Sequence, residues 1–444
     1  MKIPQQPPSF QDVLAETTAL LQQPELLARV HTAGHPHWDK LRRQPQPEGI
    51  TATAAWGVLK FMRSMRATVT PLVDTTGRPF TWTNDAELSP GLHQIDLWGG
   101  GHIGVSEPVL DVESKSQYYL SSLITEAITS SQLEGASTTR EVAQDMLLTK
   151  RLPRDLSERM IFNNFRTMQR IGELKDEPLS AALVFEIHRI VTEETLAKPD
   201  AAGRLRRADE DIAVVDNDGQ ILHQPPPAEQ LARRMEQLCR FANGETPKGF
   251  LHPVLRAVVV HFWLAWDHPF VDGNGRTARA LFYWSMLRSR YWLFDYISIS
   301  EVILSAPAKY GRAFLLTETD DNDLTYFMLY HLDVILKALE NLRTFIADKT
   351  ASLRSLDGLL RTAADRFNHR QRELLTHALR HPSQVYTIAE HQARQQVVYQ
   401  TARTDLLGLD EAGLLVKSTA GNKLVFRPIA KLEAHLRRLG AHAG

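Results

Sequence analysis

From about Glu113 onward, apolar residues recur with the three-to-four-residue spacing of helices; the chain before that point has no such rhythm. Leu120, Leu123, Ile124, Ala127 and Ile128 share one helical face. That helix should stop near Gly135, because a glycine just past the last periodic residue is a common C-terminal stop. The same spacing predicts helices over Arg159 to Gly172, Ser180 to Thr195 and Ala228 to Phe241. Between the last two, β-prone runs flank Asp216-Asn217-Asp218-Gly219, so this stretch reads as a hairpin ended by Pro225 to Pro227. Pro253 suits a first helical turn, where its missing N–H costs nothing, and a strongly apolar helix runs from there to about Trp266. A glycine-containing loop follows, then a helix from about Gly275 to Arg288 whose Ala280, Leu281, Trp284 and Leu287 face inward. A long helix covers Leu324 to about Asp348.

The two ends of the chain read differently. Residues 1–112 mix proline, tryptophan and glycine, with short helices at Phe10 to Leu27 and Thr53 to Ala67. Trp98-Gly99-Gly100-Gly101-His102 reads as a loop, since consecutive glycines favour neither helix nor strand. After a linker at 351–365, residues 366–444 predict helices at Arg370 to Arg380, Thr387 to Gln392 and Gln396 to Leu409. A hairpin over Leu414 to Phe426, turning at Ala420-Gly421-Asn422, completes the order of a winged helix-turn-helix. The fold class is therefore mainly α: a helical core over 113–350 with one hairpin, plus a small C-terminal α+β module.

Charge bears chiefly on that last module. The 444 residues carry 51 basic and 52 acidic side chains, a balance unlike that of a protein whose main work is to coat nucleic acid or an acidic membrane. From Arg366 onward about 12 basic residues face 6 acidic ones, a modest excess suited to contact with DNA. Arg394, Arg403, Lys417, Lys423 and Arg427 are candidates for phosphate contact; a protein-binding face is the equal alternative. The single cysteine, Cys239, excludes an internal disulfide and a cysteine-based metal site. No signal peptide is evident, and the most apolar run, Ala257 to Trp266, interrupted by His261, is far short of the roughly 20 residues a membrane span needs. A cytoplasmic protein without membrane contact is expected.

The chemistry concentrates in His268-Pro-Phe-Val-Asp-Gly-Asn-Gly-Arg-Thr-Ala-Arg279. A loop turns directly into a helix here, and a helix start offers unpaired N–H groups and a dipole that favours an anion. Arg276 and Arg279, three apart, adjoin on the helix surface and could clamp successive phosphates. Asp272 offers a hard oxygen to a Mg²⁺ shared with phosphates, and His268, with its near-neutral intrinsic pKa, suits a general base. Together these imply phosphoryl or nucleotidyl chemistry.

This string resembles the Fic (Fic/Doc) motif, HPFx(D/E)GNGRxxR, at every specified position. The resemblance extends from about Glu113 to Asp348 and takes in the hairpin and Gly203-Arg204-Leu205-Arg206. One departure is Asp267, where an apolar residue usually precedes the histidine. The resemblance implies a Fic-fold helical core and AMP transfer from ATP to a hydroxyl side chain of target proteins, and of the protein itself. It implies that His268 is the base, Phe270 a buried anchor and Asp272 the Mg²⁺ ligand. Gly273, Asn274 and Gly275 would form the anion hole; Arg276, Thr277 and Arg279 would complete the ATP site. The hairpin, with Ile212, Ala213, Val214, Ile221 and Leu222, would be a flap that takes an extended target segment as an added strand. Lys309-Tyr310 is similar to the pair that lines the adenine site.

Ser130-Ser-Gln-Leu-Glu134-Gly135 is similar to the family's inhibitory (S/T)xxxE(G/N) helix. The implied brake is electrostatic: Glu134 pairs with Arg279 in place of the ATP γ-phosphate and misaligns the α-phosphate. A homodimer that releases the brake is a further expectation. Two other readings stay open. The same site could remove AMP or transfer another phosphate-bearing group, or a nucleotide-sensing core could serve a DNA-binding regulator. His188, His252 and His261 read as satisfied core histidines, and Trp263, Trp266, Trp284 and Trp292 as packing. Asp320-Asp321-Asn322-Asp323 reads as a helix cap rather than a Ca²⁺ loop.

Overall fold

The computed structural model describes all residues except 31–33, 85–86, 101–111, 211, 216–217, 363–365, 382–383, 421–422 and 442–444. Several expected turn and linker residues, among them Asp216, Asn217, Gly421, Asn422, Gly101 and His102, lie outside the described residues. The described chain forms two compact units, Met1–Leu342 and Arg343–Gly444.

At the N-terminus, α1 (Phe10–Leu21) starts at a Ser9 capping box and α2 (Pro24–Leu27) is a separate turn. The single helix expected over Phe10 to Leu27 is broken because Pro24, lacking an N–H, is accepted only in a first turn. Next come α3 (Trp38–Leu41) and α4 (Ala52–Ser64), the latter capped by Thr51. Then β1 (Ala67–Val73) and β2 (Pro79–Thr83) form an antiparallel hairpin that the sequence pattern did not predict. Pro71 obscures the strand, and the turn is made by Asp74, whose Oδ1 accepts the N–H groups of Thr76 and Arg78. The glycine-rich stretch is also not a simple loop: α5 (Leu88–Ile95) continues into a π-helical turn over Asp96–Gly100.

The core of the first unit is helical. It contains α6 (Val112–Leu133), α7 (Arg140–Thr149), α8 (Leu156–Leu174) and α9 (Ala181–Thr192). The expected hairpin follows as β3 (Val214–Val215) and β4 (Ile221–His223), antiparallel with Val214 opposite His223. After it come α10 (Ala228–Ala242), α11 (Pro253–Asp267), α12 (Asn274–Arg288), α13 (Ile299–Ser305), α14 (Pro307–Thr319) and α15 (Thr325–Thr362). The central element is α11, buried on nearly every side, from Val254 to Trp266. It packs against α12, whose Ala280, Leu281 and Trp284 are also buried, and Phe270 in the link between the two helices is buried with them. Helix α15 runs well past the expected end near Asp348 and includes residues 351–362, read from sequence as linker. The acidic run before it does more than cap. Asp323 accepts the Thr325 N–H, but buried Asp320 pairs with Lys60 at 2.6 Å and Asn322 donates to Asp74. No helix among the described residues is long and apolar enough to cross a membrane.

The second unit contains α16 (His369–Arg380), β5 (Tyr386–Thr387), α17 (Ile388–Gln395), α18 (Tyr399–Glu411), β6 (Leu415–Ala420), β7 (Lys423–Pro428) and α19 (Leu432–Ala441). Its strands form one antiparallel sheet in the order β5-β7-β6. Leu375, Leu406, Leu409, Phe426 and Leu436 close its core. The arrangement is compatible with a winged helix; α19 and the short β5 add to the elements expected.

Candidate active site

The link between α11 and α12 adopts a conformation that few residues favour. His268 ends α11 in the left-handed region (φ 45°, ψ 55°), and Gly273 precedes α12 at φ 81°. A Cβ on Gly273 would lie 2.6 Å from the Thr192 methyl, so both backbone angle and space demand glycine there. Asn274 closes the loop: its side chain donates to the Phe270 carbonyl at 2.8 Å and accepts the Phe270 N–H at 2.9 Å. Phe270 itself is fully buried. No side chain caps the start of α12, which leaves first-turn N–H groups directed out of the helix.

His268 is oriented through its ring. Nδ1 lies 3.2 Å from the Ala265 carbonyl, which only accepts, so Nδ1 carries the proton and Nε2 keeps its lone pair. Burial lowers the His268 pKa, opposed by the Ala265 hydrogen bond and by the negative charge of Glu134. The imidazole is therefore neutral at neutral pH.

Three further side chains hold this turn; the sequence marks Arg206 only within Gly203-Arg204-Leu205-Arg206 and marks neither His223 nor Arg234. Arg206 donates from Nε to the His268 carbonyl at 3.0 Å and from its backbone N–H to the Pro269 carbonyl at 2.9 Å. His223, on the hairpin, lies 2.7 Å from the Trp266 carbonyl. Arg234 pairs with Asp267 at 2.7 Å and also donates to the Val73 carbonyl of the N-terminal hairpin. Asp267 takes a further bond from the Trp263 indole at 3.0 Å. The unusual aspartate is thus a structural partner of Arg234 and Trp263, whereas the His268 ring bonds the Ala265 carbonyl.

His188 also belongs to this network. Its Nδ1 accepts the Gly203 N–H at 2.9 Å, so Nε2 carries the proton and donates to the Asp272 carbonyl at 2.8 Å. Its ring stacks on Phe270 with centroids 3.7 Å apart. Burial lowers its pKa to about 4 and keeps it neutral. His188 is a satisfied core histidine, as expected, but it also ties the loop to α9. The other two differ from expectation. His252 caps α11 and meets Asp96, while His261 bonds Tyr310 through Nε2 and leaves Nδ1 without a partner. Of the tryptophans, Trp292 is 39% exposed rather than packed inside.

The polar side chains of α12 are placed unequally. Arg279 is buried and bonded through two nitrogens: Nε donates to Ser130 Oγ at 2.8 Å, and Nη2 to the Ser130 carbonyl and to Glu134 Oε1 at 2.9 and 2.8 Å. Arg276 is equally buried, yet its Nε has no partner. Its Nη1 donates to the Val191 carbonyl, and Asp272 stands 3.8 Å away. The Thr277 hydroxyl is turned inward onto the Gly273 carbonyl at 2.8 Å. Glu134, just past α6, lies over the first turn of α12; a methyl group on Gly275 would collide with its carboxylate. Burial alone would raise the Glu134 carboxyl, but Arg279, with help from Arg276 and His268, outweighs that and holds it below the usual range.

The remaining expected residues surround this centre. Tyr310 is half-buried on α14; burial raises its hydroxyl pKa to about 12, and Arg279 acts against that rise. Ile212, Ala213, Val214 and Leu222 are half-buried and Ile221 is exposed, so the hairpin retains an accessible apolar edge. Asp272 keeps 58% of its side chain exposed, with one oxygen taken by the Gly273 N–H at 2.6 Å. Among the described residues no three His, Cys, Asp or Glu side chains form a metal cage. A lone exposed carboxylate suits a Mg²⁺ that keeps its waters and takes its other oxygens from phosphates.

Residues 178–286 match the model of the Fic/DOC family. Over 117 residues the chain is 35% identical to a protein adenylyltransferase Fic from Nematostella vectensis, covering 26% of this chain and 25% of that relative. Over 69 residues it is 44% identical to a protein of the same name from Drosophila melanogaster, covering 16% and 14%. The matched region thus spans about a quarter or less of these relatives' length. The crystal structure of a Fic family protein from Desulfovibrio desulfuricans superposes with a TM-score of 0.53 at 17% identity, covering 79% of this chain and 98% of that one; this likeness concerns the fold.

Proposed function

We propose that this chain, whose residues 178–286 match the Fic/DOC family, transfers AMP from ATP to a hydroxyl side chain of a target protein, held in check by Glu134. The observation that carries the reading is the start of α12. Two buried guanidinium groups and an uncapped helix terminus meet an imidazole whose Nε2 is left as an acceptor. A buried Arg276 with an unpartnered Nε is costly unless an anion completes it.

In this reading the triphosphate lies along the first turn of α12, with Arg276 on the β-phosphate and Arg279 on the γ-phosphate. The backbone of Gly273 to Gly275 surrounds the anion, while the Asn274 side chain holds the loop. The Thr277 hydroxyl serves the turn of α12. The target hydroxyl oxygen attacks the α-phosphorus, its proton passes to His268 Nε2, and the bond to pyrophosphate breaks. Asp272 would hold Mg²⁺, which supplies charge neutralisation on the phosphates. The β3–β4 edge receives the target segment and sets the line of attack. Tyr310, beside Arg279, borders the base. Glu134 occupies the γ-phosphate's place on Arg279, so bound ATP is displaced from the attack line.

The test is self-labelling with ATP labelled at the α-phosphate. Glu134→Gly should label faster than the parent, and the same variant with His268→Ala should not label. Equal rates for Glu134→Gly and parent would remove the brake. Loss of label from a pre-modified target, with no transfer, would favour AMP removal instead.

For the second unit we propose contact with duplex DNA. Helices α17 and α18 are joined by Gln396–Val398, and Arg394, Lys417, Lys423 and Arg427 are exposed. Binding by the full chain that weakens steeply with salt supports this; no binding favours a protein partner.

A further inference from the structure

The brake helix and the helix it restrains meet through a repeated pattern. Glu126, Ser130 and Glu134 are spaced by four on α6 and just beyond it. Their opposites on α12 are Tyr283, Arg279 and Gly275, spaced by four in the reverse direction. Antiparallel helices that pair residues at this interval share one face for the whole length of contact. Two of the three rungs bear directly on the proposed ATP site. The third lies two turns, about 12 Å, from Glu134 and makes no hydrogen bond to it or to Arg279, although its charge acts on Arg279.

That distant rung is the most saturated of the three. Glu126 is 2% exposed. Its Oε2 accepts from Tyr283 at 2.9 Å, from the Ser298 hydroxyl at 2.7 Å and from the Ser300 N–H at 3.1 Å, and its Oε1 accepts the Ser300 hydroxyl. Burial pushes this carboxyl up, against the pull of those donors. A group so costly to bury is tolerated where donors converge, and a helix that slides or turns loses all of them at once. One residue of slip moves a side chain by about 1.5 Å along the axis and by about 100° around it. Such a slip would carry Glu134 off Arg279.

We propose that Glu126 is a positioning residue of the brake: gripped by Tyr283, Ser298 and Ser300, it fixes the register of α6 on α12 so that Glu134 meets Arg279. This rests on the autoinhibited reading above. Glu126→Gln keeps the size but turns an amide N–H₂ toward converging donors. Tyr283→Phe removes the α12 half of the rung together with the bond that the Tyr283 hydroxyl accepts from the Ile299 N–H at 2.9 Å.

The experiment compares AMP incorporation from α-labelled ATP by the full-length parent, Glu126→Gln, Tyr283→Phe, Glu134→Gly and the double variant Glu126→Gln/Glu134→Gly, with melting temperatures alongside. The expected result is a gain of at least threefold for Glu126→Gln and a smaller gain for Tyr283→Phe, both with lowered melting temperature. In the Glu134→Gly background Glu126→Gln should add nothing. A purely structural role gives lower activity along with lower stability. The proposal is overturned if both single variants are no faster than the parent while Glu134→Gly is faster, or if the gains multiply in the double variant. If Glu134→Gly is itself no faster, the brake reading fails first and takes the proposal with it.

Discussion

The two arginines at the start of α12 stand three residues apart and are finished in opposite ways. Arg279 faces α6 and has its Nε and Nη2 engaged by Ser130 and Glu134. Arg276 faces the loop and leaves Nε unpartnered inside the protein. The contrast teaches how one helix terminus can be both strong and ready. On one side a carboxylate pairs with the guanidinium; on the other a buried guanidinium nitrogen has no partner, and in the proposed reading an anion would complete it. A guanidinium pairs as well with a carboxylate as with a phosphate, so in the proposed reading either occupant would satisfy Arg279 and only the phosphate would permit chemistry.

The sharpest way to break the comparison is to remove the base from the ready side. In the Glu134→Gly protein, His268→Ala should lower the rate of AMP transfer by about a thousandfold, within the range general-base loss commonly costs. Arg276→Lys is next: it keeps the charge but loses the fork, and kcat/KM should fall by roughly ten- to a hundredfold in steady-state assays. The same change at Arg279 should release the brake as well as weaken ATP, so in the parent its two effects oppose each other. Equal losses at both positions would contradict the asymmetry.

A third prediction concerns the support beneath the turn. Arg234 and Asp267 are each about 5% exposed. Arg234→Met alone strands a buried carboxylate and should cost about 3–5 kcal/mol in denaturant unfolding. Adding Asp267→Leu should recover most of that loss, since a well-packed apolar pair often replaces a buried ion pair at little cost. If the double variant were as unstable as the single one, the pair would not be the unit described.

The smallest effect is on pH. Because burial lowers the His268 pKa, protonation removes the base only below the ordinary histidine range. Activity should therefore persist through pH 6.5 and fall on the acid side of it. Glu134 raises that pKa, so its removal should move the acid limb to lower pH, as a rate profile of parent and Glu134→Gly would record. Glu134 itself is held below the usual carboxylate range. The stability it contributes is complete above the unfolded value near 4.5 and is lost only as pH falls through the lowered folded value, so mild acid should not release the brake.

Much of this arrangement was legible before any coordinates. Periodicity placed α6, α8 to α12 and the β3–β4 hairpin to within a few residues, because their apolar faces are continuous and their ends carry Gly, Pro or capping side chains. The HPFVDGNGRTAR string located the loop because backbone geometry there demands specific residues, such as glycine at 273. The supports were harder to read. Arg206, His223 and Arg234 reach backbone carbonyls of the turn or the Asp267 carboxylate across 62, 43 and 33 residues, and no local pattern marks such contacts. Asp267 signalled something by departing from an apolar site, but its partner lay on another helix. Glu126 carried a weak sign, the four-residue spacing to Ser130 and Glu134, which gains meaning only when α12 runs opposite. The β1–β2 hairpin was hidden by Pro71 and by a turn built on the Asp74 side chain.

The central claim is that a nucleoside triphosphate lies with its phosphates on the start of α12 and its α-phosphorus open to attack beside His268. The most direct test gives the Glu134→Gly protein Mg²⁺ and ATP labelled at either the α- or the γ-phosphate, and follows which label becomes covalently bound. The account predicts that the α-label stays with protein while the γ-label leaves in pyrophosphate. Protein-bound γ-label, or no bound label of either kind, would contradict it.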